Sequence, residues 1–275
     1  MAHNLDKTIF SLENVHYSYL RRYPALVDIS LRIDAGESVA LLGANGSGKS
    51  TLLMILDALI FPDSGKATAF GQELKPDVLN DESFRARFRK DVAMVFQNPD
   101  IQLFCPTVRD EVAFGPLQLD MPREEIERLV ATTMERLRIA PLAERAPFNL
   151  SGGEKKKVAI AAALAVHPRV LLLDEPTAAL DPRSTRELVD IAMEFHEAGG
   201  TLIVATHDLH ILPEVAERIY VLDETRRIAA SGTAREILTD DALLQRCNLT
   251  HIHSHRHDGQ WHTHPHQHER THDHS

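Results

Sequence analysis

Cysteine is nearly absent from this chain: Cys105 and Cys247 are the only two in 275 residues. Two thiols cannot build a disulfide framework, which points to a reducing compartment. Long apolar runs are missing as well. The longest, residues 158–166, is mostly alanine and about half of the roughly 18 residues that a membrane-spanning helix needs. The opening Met1-Ala2-His3-Asn4-Leu5-Asp6 has neither the basic nor the apolar region of a secretory leader. Excess positive charge is also lacking. A formal net charge of −10 argues against a general nucleic-acid-binding surface. These absences predict an intracellular, soluble chain whose membrane contact is peripheral.

What is present fits a globular protein. Hydrophobic residues make up 43% and charged residues 25%, enough apolar material for a buried core. Histidine is the exception. Of 16 histidines, ten fall within residues 251–275. That tail is a compositional segment of its own.

Strand-like alternation at Ile9–Val15 and Leu26–Ile33 predicts an N-terminal β element. Ser38–Leu42 reads as a short buried strand entering a glycine-rich turn, with a helix over Thr51–Ile60. Further strands are expected at Val92–Phe96, Val170–Leu173 and Thr201–Ala205. From about residue 105 to 165 the periods turn helical, with Ile126, Leu129, Val130, Met134 and Leu137 on one face. Asp181 is the expected N-cap of a helix over Pro182–Ala198 that stops at Gly199-Gly200. Alternating strands and helices imply an α/β core with a largely parallel sheet, interrupted by a helical insertion.

Three segments carry chemistry. Gly43-Ala44-Asn45-Gly46-Ser47-Gly48-Lys49-Ser50, followed by Thr51, fits the phosphate-binding loop G-x-x-x-x-G-K-[ST] between a strand and a helix. Its amides can curl around a polyphosphate, with Lys49 reaching the β/γ-phosphates and Ser50 coordinating Mg²⁺. Asp174 and Glu175 end a buried strand, the edge where ligands bind in open α/β sheets. Asp174 is the expected Mg²⁺ ligand, and Glu175 the group that polarises attacking water. Ser151-Gly152-Gly153-Glu154 is both an anion-accepting helix start and a capping box. The following Lys155, Lys156 and Lys157 read as a solvated basic face.

Together these segments resemble the ATP-binding cassette family over roughly residues 8–235, which sets the expected cassette domain at 8–240. In that resemblance the loop at 43–51 is Walker A, Leu171–Glu175 is Walker B with the catalytic glutamate, and Leu150–Glu154 is the signature. Gln97 matches the Q-loop and a Mg²⁺ contact, Ala179-Leu180-Asp181 the D-loop, and His207 the switch histidine. Tyr19 is similar to the aromatic that stacks on adenine, and Tyr23 is a second candidate. The resemblance implies a RecA-like P-loop NTPase fold with an inserted helical subdomain (98–160) and an N-terminal antiparallel β element. It also implies ATP as substrate and a second ATPase subunit whose Ser151, Gly152, Gly153 and Asp181 equivalents complete the site. Catalytic roles fall on Lys49, Gln97, Glu175 and His207.

The stretch Gln97–Phe104, with Glu111–Pro116, looks like the energy-coupling-factor ATPases of vitamin and metal uptake. Those relatives imply a transmembrane coupling protein and a substrate-binding membrane protein as partners, at the cytoplasmic face. Ile101, Leu103 and Phe104 are the apolar anchors expected to meet the coupling protein, or else to pack the helical subdomain. The tail suggests nickel or cobalt as cargo. His251, His253, His255 and His257 alternate, as do His262, His264, His266 and His268, and neutral imidazoles bind such ions. The segment 251–275, within an extension 241–275, is expected to lack structure without metal. An importer of a vitamin or organic cofactor is the rival reading. A cassette acting on DNA needs a long coiled coil between Lys49 and Ser151, and only 102 positions separate them.

Overall fold

A computed structural model describes residues 7–257 and 260–266, with side chains through residue 250. The chain opens with two long antiparallel strands, β1 (Thr8–Tyr19) and β2 (Tyr23–Asp34), paired from Thr8↔Asp34 to Tyr19↔Tyr23. The wholly buried β3 (Ser38–Gly43) runs into α1 (Lys49–Leu56). β4 (Ser64–Ala69) and β5 (Gln72–Glu73) complete an antiparallel sheet of order β2-β1-β4-β5. After α2 (Glu82–Asp91) comes β6 (Val92–Val95). Three helices follow: α3 (Val108–Gln118), α4 (Arg123–Arg136) and α5 (Gly152–Leu164).

Strands and helices then alternate: β7 (Val170–Asp174), α6 (Pro182–Glu197), β8 (Thr201–Thr206), α7 (Leu212–Val215), β9 (Arg218–Leu222) and β10 (Ile228–Gly232). Two short helices, α8 (Ala234–Leu238) and α9 (Asp241–Arg246), end the core. The central sheet has the order β10-β9-β3-β8-β7-β6. Its strands from β9 to β6 are parallel, and β10 is an antiparallel edge. The α/β architecture, the N-terminal antiparallel element and the interposed helices are those expected.

Period two divides the parallel strands between two cores. Val39, Leu41, Leu172 and Ile203 pack with β1, β2 and α1. Ala40, Leu42, Leu171, Leu173 and Val204 pack with the helices from α3 onward. A sheet covered on both faces holds its carboxyl edge rigidly, and that edge carries the loops described next.

Helix ends follow their caps. Asp181 accepts from the Ser184 amide at 3.0 Å to start α6, with Pro182 in the first turn. Gly199, at φ +93°, ends it. The Ser151/Glu154 capping box starts α5 as the sequence predicts.

The backbone of residues 251–257 and 260–266 forms two antiparallel strands, β11 (His251–His257) and β12 (Gln260–His266), and the rest of the segment 251–275 lies outside the described residues. One expectation needs correction. The lysines after the signature are not a solvated face. Lys155 pairs with Asp100 at 2.6 Å, Lys157 pairs with Glu187 at 2.9 Å, and Lys156 is 5% exposed. Helical rotation puts Lys156 on the same side as Ala159, Ile160 and Ala163, all buried.

Candidate active site

The turn from β3 to α1 is shaped by glycine. Gly46 and Gly48 lie at φ +82° and +105°, and a Cβ on Gly48 would strike the Ala25 carbonyl oxygen. With that backbone fixed, Asn45, Gly46, Gly48, Lys49, Ser50 and Thr51 line a cavity of about 550 Å³. Gly43 and Ala44 form its back, their carbonyls accepting from Lys49 Nζ at 2.8 and 3.3 Å. Gln97 and Glu175 close the far side, and Tyr19, Tyr23 and Arg226 the outer rim. Tyr19 is held by a 3.1 Å hydrogen bond to Thr51 Oγ1.

Charges converge on the floor. Lys49 Nζ lies 3.1 Å from Glu175 Oε1, and both side chains are buried. Glu175 Oε2 is 2.9 Å from His207 Nδ1. Ser50 Oγ donates to Asp174 Oδ1 at 3.0 Å. Burial pushes the Asp174 carboxyl above its ordinary range, against the hydrogen bond from Ser50.

Among the described residues, Ser47 Oγ and Glu175 Oε1 are buried without a hydrogen-bond partner. One is a hydroxyl in a phosphate-type loop, and the other meets its lysine only through charge. Unsatisfied groups of this kind fit a site made to receive a polyphosphate and a water. The oxygen donors Ser50 and Asp174, side by side near Gln97, fit a hard cation such as Mg²⁺.

Glu175 also adopts φ +44°, a left-handed conformation rare for a non-glycine residue. Its amide donates to Ala205 O at 2.8 Å, and its carbonyl accepts from Lys156 Nζ at 3.0 Å. Lys156 also donates to Pro176 O at 2.8 Å and Ala178 O at 2.9 Å. Burial lowers its pKa, opposed by the charges of Glu175 and Asp174. Lys156 therefore ties α5 to the loop behind Glu175, a role that the reading as a solvated lysine misses. Arg226 was missed too, because it reaches the rim from a β9–β10 turn remote in sequence.

Not every expected residue reaches this cavity. Ser151, Gly152, Gly153 and Asp181 do not line it. Gly153 instead packs against Ser184 at the start of α6, with no room for a larger side chain. His207 touches the cavity only through Glu175. Of the three apolar anchors, Leu103 packs on the helical core, while Ile101 and Phe104 are 68% and 65% exposed. Phe104 stacks edge-on against Phe114, centroids 4.9 Å apart.

Residues 26–178 match the sequence profile of the ABC transporter family. The chain belongs to that family. It is 48% identical over 243 residues to the nickel import ATP-binding protein NikO of Rhodobacter capsulatus, covering 87% of this chain and 95% of that protein. It is 42% identical to the energy-coupling factor transporter ATP-binding protein EcfA of Methanothermobacter thermautotrophicus, covering 88% and 76%. The solved structure of CbiO1 from Clostridium perfringens, part of a cbiONQ transporter complex, superposes with a TM-score of 0.75 at 34% identity, covering 88% and 95%. This ABC protein is thus an ATPase whose hydrolysis is coupled to transport. Among its described residues no helix is long and apolar enough to cross a membrane.

Proposed function

We propose that this ATPase powers uptake of nickel or cobalt through a membrane importer, working as a pair with a second ATPase subunit on the cytoplasmic face. Likeness to NikO over nearly its whole length and a C-terminal run of imidazoles support the metal reading. The exposed Ile101–Phe104–Phe114 patch supports a transmembrane coupling partner. A substrate-binding membrane protein completes the assembly.

The contacts Lys49–Glu175, Glu175–His207 and Ser50–Asp174 at the floor of the cavity carry the mechanism. The loop amides and Lys49 hold the β- and γ-phosphates, while Tyr19 or Tyr23 stacks on adenine. Ser50, Asp174 and Gln97 hold Mg²⁺, which neutralises phosphate charge when bound. Glu175 orients and deprotonates the water that attacks the γ-phosphorus as the bond to the β-phosphate oxygen breaks, leaving ADP and phosphate. His207 steadies the γ-phosphate from beside Glu175. The signature residues Ser151, Gly152 and Gly153, with Asp181, are remote from their own cavity and serve the site of the second subunit.

Glu175→Gln keeps the shape but removes the base, so turnover falls by about 10²-fold or more. An ATP-bound dimer accumulates at the same time. Wild-type hydrolysis by that variant, reconstituted with its membrane partners, would overturn the assignment. Uptake of radioactive nickel against cobalt in cells carrying the importer tests the cargo, and transport of neither ion favours an organic cofactor.

A further inference from the structure

Two cations line the nucleotide cavity, and the roles given so far use only one of them. Lys49 has Glu175 at 3.1 Å. Arg226, half-buried, shares the outer rim with Tyr19, Tyr23, Pro24 and Ala25. Among the described residues, no ion pair, side-chain hydrogen bond or ring contact engages its guanidinium. The next residue behaves differently, since Arg227 pairs with Asp28 at 2.9 Å. Of two consecutive arginines, one is tied to a carboxylate and the other faces the cavity.

Arg226 also stands where the backbone favours glycine. Glu224, Thr225 and Arg226 form the loop between β9 and β10. Asp223 N donates to Arg227 O and Arg226 N donates to Asp223 O, each at 3.0 Å. A hairpin loop of this length ends in a left-handed residue, and Arg226 lies at φ +65°. Glycine takes that conformation without a Cβ penalty, whereas arginine is strained there. The turn gains nothing from the guanidinium in return. Asp223 Oδ1 holds it, accepting from Thr225 N at 2.8 Å and Thr225 Oγ1 at 2.6 Å. Val27 N donates to Arg226 O at 3.0 Å, fastening the loop to β2. On the same strand, the Ala25 carbonyl abuts Gly48 at the start of α1. The fold therefore delivers a strained arginine to the phosphate loop, and strain without structural return marks functional positions.

We propose that Arg226 is a nucleotide-binding residue whose guanidinium meets the α-phosphate. Lys49, Ser50, Gln97 and Glu175 occupy the end of the cavity that takes the β- and γ-phosphates and Mg²⁺. The tyrosines at the rim take the adenine. The α-phosphate lies between these two ends, and Arg226 enters there, beside Ala25 and Gly48. The planar fork of guanidinium donors matches two phosphate oxygens, and the phosphate supplies the counter-charge that the protein does not. The α-phosphate takes no part in the reaction, so this contact is the same before and during hydrolysis. It strengthens binding without speeding the chemical step. The inference rests on reading this cavity as the ATP site and on no choice of transported substrate.

Arg226→Gly tests this, because it removes the guanidinium and gives the turn the residue that its conformation favours. In the full-length chain, calorimetric titration should show Mg-ADP affinity reduced by about tenfold or more. The KM for Mg-ATP should rise by a similar factor while kcat does not fall, and the urea midpoint should rise. Unchanged Mg-ADP affinity would overturn the proposal. A loss of affinity accompanied by a lowered urea midpoint would also overturn it, since the arginine would then serve the fold. Weaker binding of Mg-ATP with unchanged Mg-ADP would move the contact to the γ-phosphate and refute the assignment to the α-phosphate. Arg226→Lys keeps the charge without the fork, so its affinity should fall between those of the parent and the glycine variant. An affinity below the glycine variant would refute attraction to a phosphate. Lys49→Ala separates this inference from the reading beneath it. If that variant binds Mg-ADP as the parent does, the cavity is not the ATP site and both readings fall. If it loses affinity while Arg226→Gly keeps it, only the role of Arg226 falls.

Discussion

Lys156→Met is the perturbation on which the account of the site depends most. The ammonium is 5% exposed and donates to three carbonyl oxygens, those of Glu175, Pro176 and Ala178. Glu175 O would keep the Ala178 amide at 3.2 Å. Pro176 O and the part-buried Ala178 O receive no other hydrogen bond among the described residues, and an unsatisfied buried carbonyl such as Pro176 O costs about 1–3 kcal/mol. Methionine recovers part of that, since it avoids desolvating a charge. A net loss of about 1–3 kcal/mol is expected in urea unfolding. Catalysis should suffer separately. Without the ammonium, Glu175 at φ +44° keeps the hydrogen bonds to Ala205 O and from the Ala178 amide but loses the third that holds its backbone, and a displacement of about 1 Å at a reacting group costs on the order of 10²-fold. In protein kept well below its unfolding midpoint, kcat should fall by about tenfold or more while ATP affinity holds. A variant with parental urea midpoint and turnover would refute the argument.

Asp57 gives a test by pH. Burial at the end of α1 pushes its carboxyl up to about 7, with Arg89 only partly opposing. The folded form thus binds the proton more tightly than the unfolded one, and stability falls as pH rises from about 4 to about 7, by at most ~4 kcal/mol. Urea midpoints at pH 5 and 8 should differ less for Asp57→Asn than for the parent, and equal differences would refute the assignment. Phe104→Ala should weaken co-purification with the transmembrane partner by about 1–3 kcal/mol while nucleotide affinity of the isolated chain holds. Undiminished assembly would mean that the aromatic pair with Phe114 only packs the helical insertion.

The parts of the site legible in the sequence are those whose cause is local. Eight consecutive residues from Gly43 to Ser50 specify the loop because the turn, its glycines and the helix start are contiguous. Asp181 and the Ser151/Glu154 box were readable for the same reason: each cap bonds within three residues. Lys156 was not read, because its partners lie 19 to 22 residues ahead. Its signal was nonetheless present, as the lysine shares a helical stripe with Ala159, Ile160 and Ala163. Arg226 left no local trace, since only the pairing of β9 with β3 and β10 carries its turn to the cavity rim. The hairpin was hidden by polarity. A sequence that alternates histidine with mostly polar residues does not stand out by hydrophobicity.

On the proposed roles, the pair Lys49–Glu175 keeps the base occupied until nucleotide arrives. Both side chains are buried, and at 3.1 Å each is the other's nearest counter-charge. Taking two charges from water is costly, and their attraction repays that only with good geometry and further hydrogen bonds. On the proposed roles, a triphosphate takes the place of the carboxylate at Lys49. Its γ-phosphate brings more negative charge to Lys49 than one carboxylate does, and the lysine already points along the loop through Gly43 O and Ala44 O. Glu175 Oε1 is then freed, while Oε2 stays anchored by His207 at 2.9 Å. The carboxylate has one free oxygen for a water and one tether that reports on the switch loop. On the proposed roles, the base becomes available only after the phosphate has arrived, and its aim depends on where His207 stands. A device acting on the switch loop therefore controls turnover without touching nucleotide affinity.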